Sequence, residues 1–158
     1  MLVLEQRLSM TSEVLNLATK IAFEEALEAK NENEIPVGSV ILLKNKIITR
    51  EHNRIIQKND PTAHAEILCL QKASFILKNE RLVGTTLITT LEPCMMCSGA
   101  IILARIEKVI FMAQDEKLPG LRELIKFKGH NHIPEIEYFP TIEFDASQLI
   151  KDFFRDRR

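Results

Sequence analysis

The sequence has almost no net charge and no long apolar run. Its 21 lysines and arginines are balanced by 22 aspartates and glutamates, which gives a formal net charge of −1 at pH 7. A protein without a global positive field attracts nucleic acid only through a local basic patch. No apolar stretch approaches the roughly 20 residues that a membrane-spanning helix needs. We therefore expect neither a membrane protein nor a general nucleic-acid binder.

Cysteine is scarce, and the sequence has no sign of disulfide pairing or export. The chain has three cysteines, whereas a disulfide framework uses an even number. Residues 1–10 lack the long apolar centre and the small-residue cleavage site of a secretory signal. Free thiols are typical of a reducing compartment, so we expect the protein to be cytoplasmic.

Repeats, low-complexity tracts and linkers are also missing. The 158 residues, of which 46% are hydrophobic, suit one globular domain with a substantial core. We predict a single domain over residues 1–158, with an N-terminal extension at 1–11 and a C-terminal helix at 146–158. In that helix we expect Leu149, Phe153 and Ile150 to face inward.

Apolar residues at three- and four-residue intervals predict a first helix over residues 12–30, with Ser12 as its N-cap. The residues expected on its buried face are Val14, Leu17, Ala18, Ile21 and Leu27. Asn31 to Glu34 is polar and is expected to end the helix.

Short apolar runs predict strands, and two further helices lie between them. The predicted strands are 40–43, 47–49, 86–90 and 109–112. The first two form a hairpin through residues 44–46, where Asn45 suits a positive φ. One helix carries Ile67, Leu68, Leu70 and Ala73, and the other carries residues 94–103. This alternation predicts parallel strand pairing with helices on both faces of the sheet.

One histidine and two cysteines have the spacing of metal ligands. His64 follows the loop signal at residues 60–62, and Cys94 and Cys97 follow Pro93 as a Cys-x-x-Cys pair. Both segments stand at expected helix starts, where the helix dipole favours the thiolate form that binds metal. Three such ligands hold zinc and leave its fourth position open for water. The sequence therefore predicts a zinc site formed by His64, Cys94 and Cys97.

Glu66 distinguishes a catalytic zinc site from a structural one. It stands two residues after His64, where its carboxylate can lie beside the metal without ligating it. Taken alone, Glu66 would be a solvated first-turn residue that favours the helix dipole. Beside the predicted ligands, it can move protons while water attacks an amino-bearing ring carbon. Glu66 is therefore the predicted catalytic residue, acting as base and then as acid.

Simpler interpretations of these residues stay open. A Cys-x-x-Cys pair also fits a redox dithiol or half of a structural zinc cluster. A closed structural site needs a fourth strong ligand, and the remaining candidates are His52, Cys69, His130 and His132. Cys69 falls on the apolar side of its helix and is expected to be a small core residue. His130 and His132 stand in a Gly-flanked loop and are not expected to bind metal.

Beyond these residues, the chain resembles the bacterial tRNA-specific adenosine deaminases, within the zinc-dependent cytidine and deoxycytidylate deaminase superfamily. The His-x-Glu and Pro-Cys-x-x-Cys elements are common to the superfamily. Leu91-Glu92 before Pro93 and the terminal Asp152-Phe153-Phe154-Arg155 are more specific. The resemblance runs from about Ser12 to the C-terminus. Other matching segments are 34–38, 53–54, 60–66, 98–101, 104–106, Asp115 and 131–132.

The resemblance implies a fold, a reaction and a set of contacts. The implied fold is a three-layer α/β/α sandwich around a mixed five-stranded sheet, with one zinc ion per chain, usually as a homodimer. The implied reaction converts adenosine to inosine at position 34 of a tRNA anticodon, typically of an arginine tRNA. Asn53 and the backbone N–H of Ala65 would contact the flipped base. The implied anticodon-loop contacts are Asp115, Lys117, Phe153 and Arg155.

The chain departs from the family pattern after the last predicted strand begins. Met112 and Gln114 stand where the family often has glycine and arginine. The loop at 117–121 is shorter than usual and lacks the usual run of small residues. These departures concern the loop expected near the RNA and leave the zinc ligands unchanged.

The last eight residues combine positive charge with aromatic rings. Four basic and two acidic side chains give residues 151–158 a local charge of +2. Phe153 and Phe154 point to different sides of a helix, so one can pack while the other stacks on an unpaired base. A solvated helix end explains the charges equally well.

Two other functions remain open at this point. A free-base or nucleoside deaminase acting on guanine or cytosine would use the same zinc site, and its pocket-closing tail would not need arginines. A catalytically silent zinc subunit that partners an active one is the second alternative. The presence of Glu66 argues against the silent subunit.

Overall fold

The computed structural model describes residues 9–158, so residues 1–8 of the predicted extension lie outside the described part. In that part, six helices surround a five-stranded sheet. The helices are α1 (Ser12–Asn31), α2 (Ile55–Lys58), α3 (Ala65–Leu77), α4 (Met95–Leu103), α5 (Leu121–Leu124) and α6 (Ala146–Arg155). The strands are β1 (Gly38–Leu43), β2 (Lys46–His52), β3 (Thr85–Thr89), β4 (Lys108–Phe111) and β5 (Glu135–Tyr138).

The sheet is mixed, with strand order β2-β1-β3-β4-β5. β1 runs antiparallel to β2 and β3, whereas β3, β4 and β5 are mutually parallel. The predicted hairpin is confirmed, and its turn residues Lys44 and Asn45 both have positive φ, at 50° and 63°. Both central residues of a type I′ turn need that conformation, which matches the twist of the flanking strands.

The two faces of the sheet line separate cores, because successive side chains of a strand point to opposite faces. Ile41, Leu87 and Val109 lie side by side on adjacent strands and pack against α3 and α4. Val40 and Ile88 point the other way and pack under α1. The fold is thus the α/β/α sandwich that the resemblance implied.

The predicted N-cap of α1 is wrong, because Thr11, and not Ser12, caps the helix by accepting the Val14 N–H at 3.2 Å. The predicted buried face of α1 is also partly wrong. Leu17 and Leu27 are 53% and 38% exposed, whereas small residues of the helix are fully buried. The buried small residues are Ala18, Ala22, Ala26 and Ala29. A Cβ on Gly38 of β1 would collide with the backbone oxygen of Ala22 and the backbone nitrogen of Ala26. The helix therefore lies too close to the sheet for leucine, and alanine faces the strands instead.

The C-terminal helix α6 is amphipathic in the predicted sense. Leu149 and Phe153 are buried, Ile150 is half-buried, and Phe154 is 46% exposed. Asp145 caps the helix by accepting the backbone N–H of Gln148 at 2.9 Å. One ring of the aromatic pair is therefore part of the core, and the other meets solvent.

The two candidate metal-binding segments follow β2 and β3, which run in the same direction because each is antiparallel to β1. The chain leaves β2 and reaches α3 through the short helix α2, and it leaves β3 and enters α4 after five residues. The carboxyl ends of parallel strands share one edge of a sheet, where α/β proteins commonly bind ligands. Among residues 9–158, no helix is both long enough and apolar enough to cross a membrane.

Candidate active site

Two helix starts bring the three predicted ligands together. His64 is the N-cap of α3, and Cys94 is the N-cap of α4. The Nδ1 atom of His64 lies 3.6 Å from Sγ of Cys94 and 3.5 Å from Sγ of Cys97. Neither N-cap side chain makes a capping hydrogen bond, and the ligand atoms of both residues meet at the shared site.

These distances fit a tetrahedral zinc ion. With Zn–S near 2.3 Å and Zn–N near 2.0–2.1 Å, tetrahedral angles separate a sulfur and a nitrogen ligand by about 3.6 Å. His64, Cys94 and Cys97 are the group that could hold a metal among residues 9–158. These three residues would supply the number of protein ligands that a catalytic zinc site uses, with the fourth position left for water.

The four other histidines and cysteines have different partners. Cys69 is fully buried and its thiol donates to the Ser39 carbonyl at 3.2 Å, which confirms it as a core residue. The remaining three bond elsewhere: His130 to the Leu124 carbonyl at 2.8 Å, His132 to the Ile106 carbonyl at 2.6 Å, and His52 to Glu25 and Glu32. The described part of the chain thus offers no fourth ligand of these types.

Hydrogen bonds among the ligands favour a thiolate at Cys94. The Cys97 thiol and then His64 stabilise the Cys94 anion and lower its pKa to about 4. The same hydrogen bond with Cys94, together with burial, raises the pKa of Cys97. Hydrogen bonding to Cys94 also raises the pKa of His64. A metal ion binds the deprotonated forms of these side chains, so metal binding releases their protons.

Glu66 is buried in the first turn of α3 and is only 3% exposed. Burial raises the pKa of its carboxyl to about 7, although hydrogen bonding to its own backbone and to Cys97 opposes the rise. A general acid and base works best with a pKa near the working pH. A bound dication would favour the carboxylate and lower this pKa. Glu66 is thus a buried carboxyl beside the ligands, and the pKa of this carboxyl depends both on its burial and on the charge of a bound metal.

Asn53 and Ala65, the two predicted base contacts, bond to each other. Oδ1 of Asn53 accepts the Ala65 N–H at 2.8 Å, and Nδ2 donates to the Ile35 carbonyl at 3.1 Å. Asn53 is 4% exposed. The Asn53 amide is therefore held at both ends, and one of its two partners, Ala65, stands between His64 and Glu66 in the sequence.

Asp115 and Lys117 lie in the loop between β4 and α5. Oδ1 of Asp115 accepts the backbone N–H groups of Lys117 and Leu118 at 2.9 and 3.1 Å, and the Lys117 side chain is exposed. A surface cavity of about 540 Å³ is lined by residues 115–120 together with Glu92, Arg122 and Glu123. The loop thus borders a cavity that reaches the segment just before Pro93.

An ion pair that sequence analysis missed ties this loop to the metal site. The carboxylate of Glu92, which is 4% exposed, accepts two hydrogen bonds from the Arg122 guanidinium at 2.9 and 2.8 Å. It also accepts the Arg122 backbone N–H at 3.1 Å. A Cβ on Gly120 would lie 2.7 Å from the Pro93 carbonyl, so this close approach needs glycine.

Replacing Arg122 with methionine should destabilise the protein by about 2 kcal/mol. The change leaves the buried Glu92 carboxylate without its guanidinium partner, and the cost falls below that of a fully buried pair because Arg122 is half-exposed. Urea unfolding of the two proteins measures the difference.

Lys126→Met is the control, because Lys126 pairs with Glu123 at the surface and should change stability by less than about 0.5 kcal/mol. Adding Glu92→Gln to Arg122→Met should recover part of the loss, since a neutral amide costs less to bury. Equal stabilities of wild type and Arg122→Met would show that the pair does not hold the loop.

The predicted contacts on α6 divide between core and surface. Phe153 is 3% exposed, and the Arg157 guanidinium lies 3.5 Å from its ring centroid. Arg155 is exposed and pairs with Asp152 at 3.1 Å. The structure therefore places Arg155 on the surface but buries the Phe153 ring, and Phe154 is the aromatic residue available to solvent.

A buried charge cluster lies one residue before Asn53. His52 is 4% exposed and bonds Glu25 at 2.6 Å and Glu32 at 2.9 Å, while Arg50 pairs with Glu25 at 2.7 Å. The hydrogen bond to Glu25 raises the pKa of His52, although burial and Arg54 oppose it. The hydrogen bond from His52 likewise lowers the pKa of Glu25.

These shifts predict how the stabilising contribution of the His52–Glu25 pair depends on pH. Because the pKa of His52 is higher in the folded protein than in the unfolded chain, this shift contributes its full stability below the unfolded pKa of about 6.5. That stability is lost as the pH rises through the folded pKa of His52. The contribution of the lowered Glu25 pKa is present above about 4.3 and is lost on acidification.

Urea unfolding of wild type and His52→Gln at about pH 6 and about pH 9 measures this contribution. The difference in unfolding free energy should be larger at the lower pH. A difference that grows with pH would show that His52 is neutral in the folded protein.

An α/β/α sandwich that presents three zinc ligands and a buried carboxylate at two helix starts has the architecture of a zinc-dependent deaminase. Residues 12–113 match the family described as the cytidine and deoxycytidylate deaminase zinc-binding region. The tRNA-specific adenosine deaminase of Aquifex aeolicus (strain VF5) is 42% identical over 142 residues, or 88% of this chain and 93% of that protein. The chain belongs to this zinc-binding family and, within it, to the tRNA-specific adenosine deaminases.

Another tRNA-specific adenosine deaminase and two solved structures are also similar to this chain. The tRNA-specific adenosine deaminase of Bacillus subtilis (strain 168) is 38% identical over 145 residues, covering 90% of this chain and 89% of that one. A structure from a study of A-to-I editing by tRNA:A34 deaminases matches with a TM-score of 0.81 at 34% identity, over 85% of this chain and 99% of that one. A guanine deaminase from Bacillus subtilis matches less well, with a TM-score of 0.62 at 29% identity over 94% of each chain.

Proposed function

We propose that the protein deaminates adenosine to inosine at position 34 of an arginine tRNA and releases ammonia. The open His64–Cys94–Cys97 set with buried Glu66 beside it carries the proposal. Relatives named as tRNA-specific adenosine deaminases, at 42% and 38% identity over most of the chain, support the substrate. The match to a structure from work on tRNA:A34 deaminases supports the position.

The proposed reaction replaces the 6-amino group of adenine with oxygen from water. Zinc bound by His64, Cys94 and Cys97 supplies Lewis acidity that lowers the pKa of water to about 7. Glu66 takes the proton of the attacking water and delivers it to N1 as the C6–O bond forms. Glu66 then takes the second water proton and gives it to the departing amine, so the C6–N bond breaks and ammonia leaves. One carboxylate serves twice because it lies within reach of both sites.

The exposed face of α6 is the part of the proposed RNA surface with the clearest chemistry. Phe154 is 46% exposed, and Lys151, Arg155 and Arg158 are exposed around it. Recognition of unpaired RNA commonly combines aromatic stacking with cationic side chains. We infer that Phe154 and Arg155 contact the anticodon loop, and that buried Phe153 supports them from below.

The chain is proposed to act as a homodimer in the cytoplasm. The layer formed by α3 and α4 packs against the sheet on one side and exposes large apolar side chains to solvent on the other. They are Phe75 at 84%, Val83 at 68% and Leu103 at 80%. Exposed apolar side chains that form a contiguous patch are typical of interaction sites, and a second copy of the chain is the partner that the family resemblance implies.

Incubation of zinc-loaded protein with an arginine tRNA that carries A34 tests the proposed function. We expect inosine at position 34, detected by sequencing or by nuclease digestion and mass spectrometry. A tRNA with G34 is the matched negative substrate, and Phe154→Ala should weaken the reaction. Absence of inosine from zinc-loaded protein, together with deamination of free guanine or cytosine, would replace the proposal with the small-substrate alternative.

A further inference from the structure

Four consecutive residues, which we call the 32–35 loop, each make a hydrogen bond to a residue distant from them in the sequence. Glu32 pairs with His52 at the end of β2 at 2.9 Å, and Asn33 accepts a hydrogen bond from Arg157 beyond α6 at 3.2 Å. Glu34 accepts the backbone N–H groups of Ile56 and Gln57 in α2 at 2.8 and 2.9 Å. The Ile35 carbonyl accepts from Nδ2 of Asn53 in the candidate active site. The same carbonyl accepts the Val37 N–H at 2.8 Å, and each of the three residues before it is held by its side chain.

The contact of Glu32 with His52 is a charged one. Nδ1 of His52 lies 2.6 Å from Oε2 of Glu25, and Nε2 lies 2.9 Å from Oε2 of Glu32. Carboxylates accept hydrogen bonds, so both ring nitrogens must donate, and only imidazolium has two N–H groups. Glu32 is therefore held by a buried cation, which fixes the start of the 32–35 loop more firmly than a neutral bond would.

The orientation of the Asn53 amide depends on the Ile35 carbonyl. With that carbonyl on Nδ2, Oδ1 faces the Ala65 N–H at 2.8 Å. A flipped amide would direct its NH₂ group at the Ala65 N–H and place two donors against each other. Displacement of the Ile35 carbonyl removes one of the two contacts that oppose this flip. A shift of the 32–35 loop would therefore change the orientation of the Asn53 amide, which is expected to contact the base.

We propose that Glu32 is a positioning residue: bound to His52, it holds the 32–35 loop so that the Ile35 carbonyl orients the amide of Asn53 for the substrate base. This inference rests on the proposed function, because it takes Asn53 as a base contact. Glu32 itself lies away from the ligands and has no direct part in the chemistry.

The kinetic test is a double-mutant cycle between Glu32 and Asn53. Glu32→Ala should lower kcat/KM on A34-containing tRNA by about tenfold to a hundredfold, the scale expected when a catalytic contact is misplaced. Glu32→Gln should lose less, because its amide oxygen still accepts from His52. The double variant Glu32→Ala/Asn53→Ala should be no slower than Asn53→Ala alone, since a residue acting through Asn53 has nothing left to position.

Glu28→Ala is the matched control, because Glu28 is an exposed glutamate one turn earlier on α1, and it should leave kcat/KM unchanged. Independent, multiplicative losses from Glu32→Ala and Asn53→Ala would overturn the proposal, since they would mean that Glu32 acts by another route. Glu32→Asp keeps the charge but withdraws the carboxylate by one methylene, and it replaces the alanine variant if that variant does not fold.

A second measurement needs no activity and separates this inference from the proposed function. Hydrogen exchange of the Ala65 amide reports the bond to Asn53 Oδ1, and it should be faster in Glu32→Ala than in wild type or Glu28→Ala. Unchanged Ala65 exchange in folded, zinc-loaded Glu32→Ala would overturn the inference. A wild type that forms no inosine, but whose Ala65 exchange responds to Glu32→Ala, would reject the proposed substrate and leave the positioning role standing.

Discussion

Replacing Glu66 with glutamine should leave zinc bound and reduce turnover by a factor of about 10² to 10⁴, the usual contribution of a general acid and base. The amide has nearly the same shape as the carboxylate but cannot take a proton from water. Glu66 is buried, and its pKa is raised by that burial, so a neutral amide also avoids the cost of burying a charge. We therefore expect a folded protein of equal or greater stability. Single-turnover inosine formation and zinc content by atomic absorption measure the two effects.

Glu80→Gln is the control for the Glu66 experiment, because Glu80 is exposed and pairs only loosely with Arg81 at 3.8 Å. It should keep full activity and full zinc content. Near-normal turnover of Glu66→Gln would mean that another group moves the protons, and the mechanism proposed above would be abandoned. Loss of zinc from the same variant would instead make Glu66 a ligand.

Replacing His64 with alanine should remove zinc and the stability that zinc provides. A metal that binds only the folded chain stabilises it by about 4 kcal/mol when its free concentration is a thousand times the dissociation constant. His64 makes no side-chain bond to its own helix, so the loss of stability comes from the metal and not from a missing cap. Zinc content by mass spectrometry and thermal unfolding with and without a chelator measure the effect.

A chelator should lower the Tm of the wild type and leave that of His64→Ala unchanged. His130→Ala is the control, since His130 bonds the Leu124 carbonyl away from the ligands, and it should bind zinc as the wild type does. Unchanged zinc content in His64→Ala would refute the ligand assignment. The zinc site would then have to be sought among other residues.

The chemistry of the site could be predicted because it depends on residue types at short spacings. Cys94 and Cys97 are three residues apart, so one helix turn places both thiols on one side. Glu66 follows His64 by two residues, which puts it in the first turn of the same helix. The division of Phe153 and Phe154 between core and solvent follows in the same way from the helical period. Each of these relations lies within one helix turn of the sequence.

Apart from His64 and the Cys-x-x-Cys pair, whose residue types indicate a shared metal site, relations between distant residues left no comparable signal. Glu92 and Arg122 are 30 positions apart, and nothing in either segment marks the other as its partner. His52 was considered only as a metal ligand, yet it bonds carboxylates from the middle and the end of α1. Asn53 and Ala65 were predicted as separate base contacts, and the structure joins them by a hydrogen bond.

The sequence by itself predicted the zinc ligands, the proton carrier and the order of the longer helices and of strands β1 to β4, because residue types at helix starts and apolar periodicity are local properties of the chain. Strand β5 and the one-turn helices α2 and α5 were not located from the sequence. Tertiary structure decided which face of α1 is buried, since the close approach of Gly38 admits alanine and excludes leucine. It also decided how the 32–35 loop holds Asn53, because those contacts join the loop to residues 52–57 and to Arg157, which reach it only when the sheet and its helices assemble. Side-chain packing and buried ion pairs depend on distances in space, and a linear pattern does not contain them.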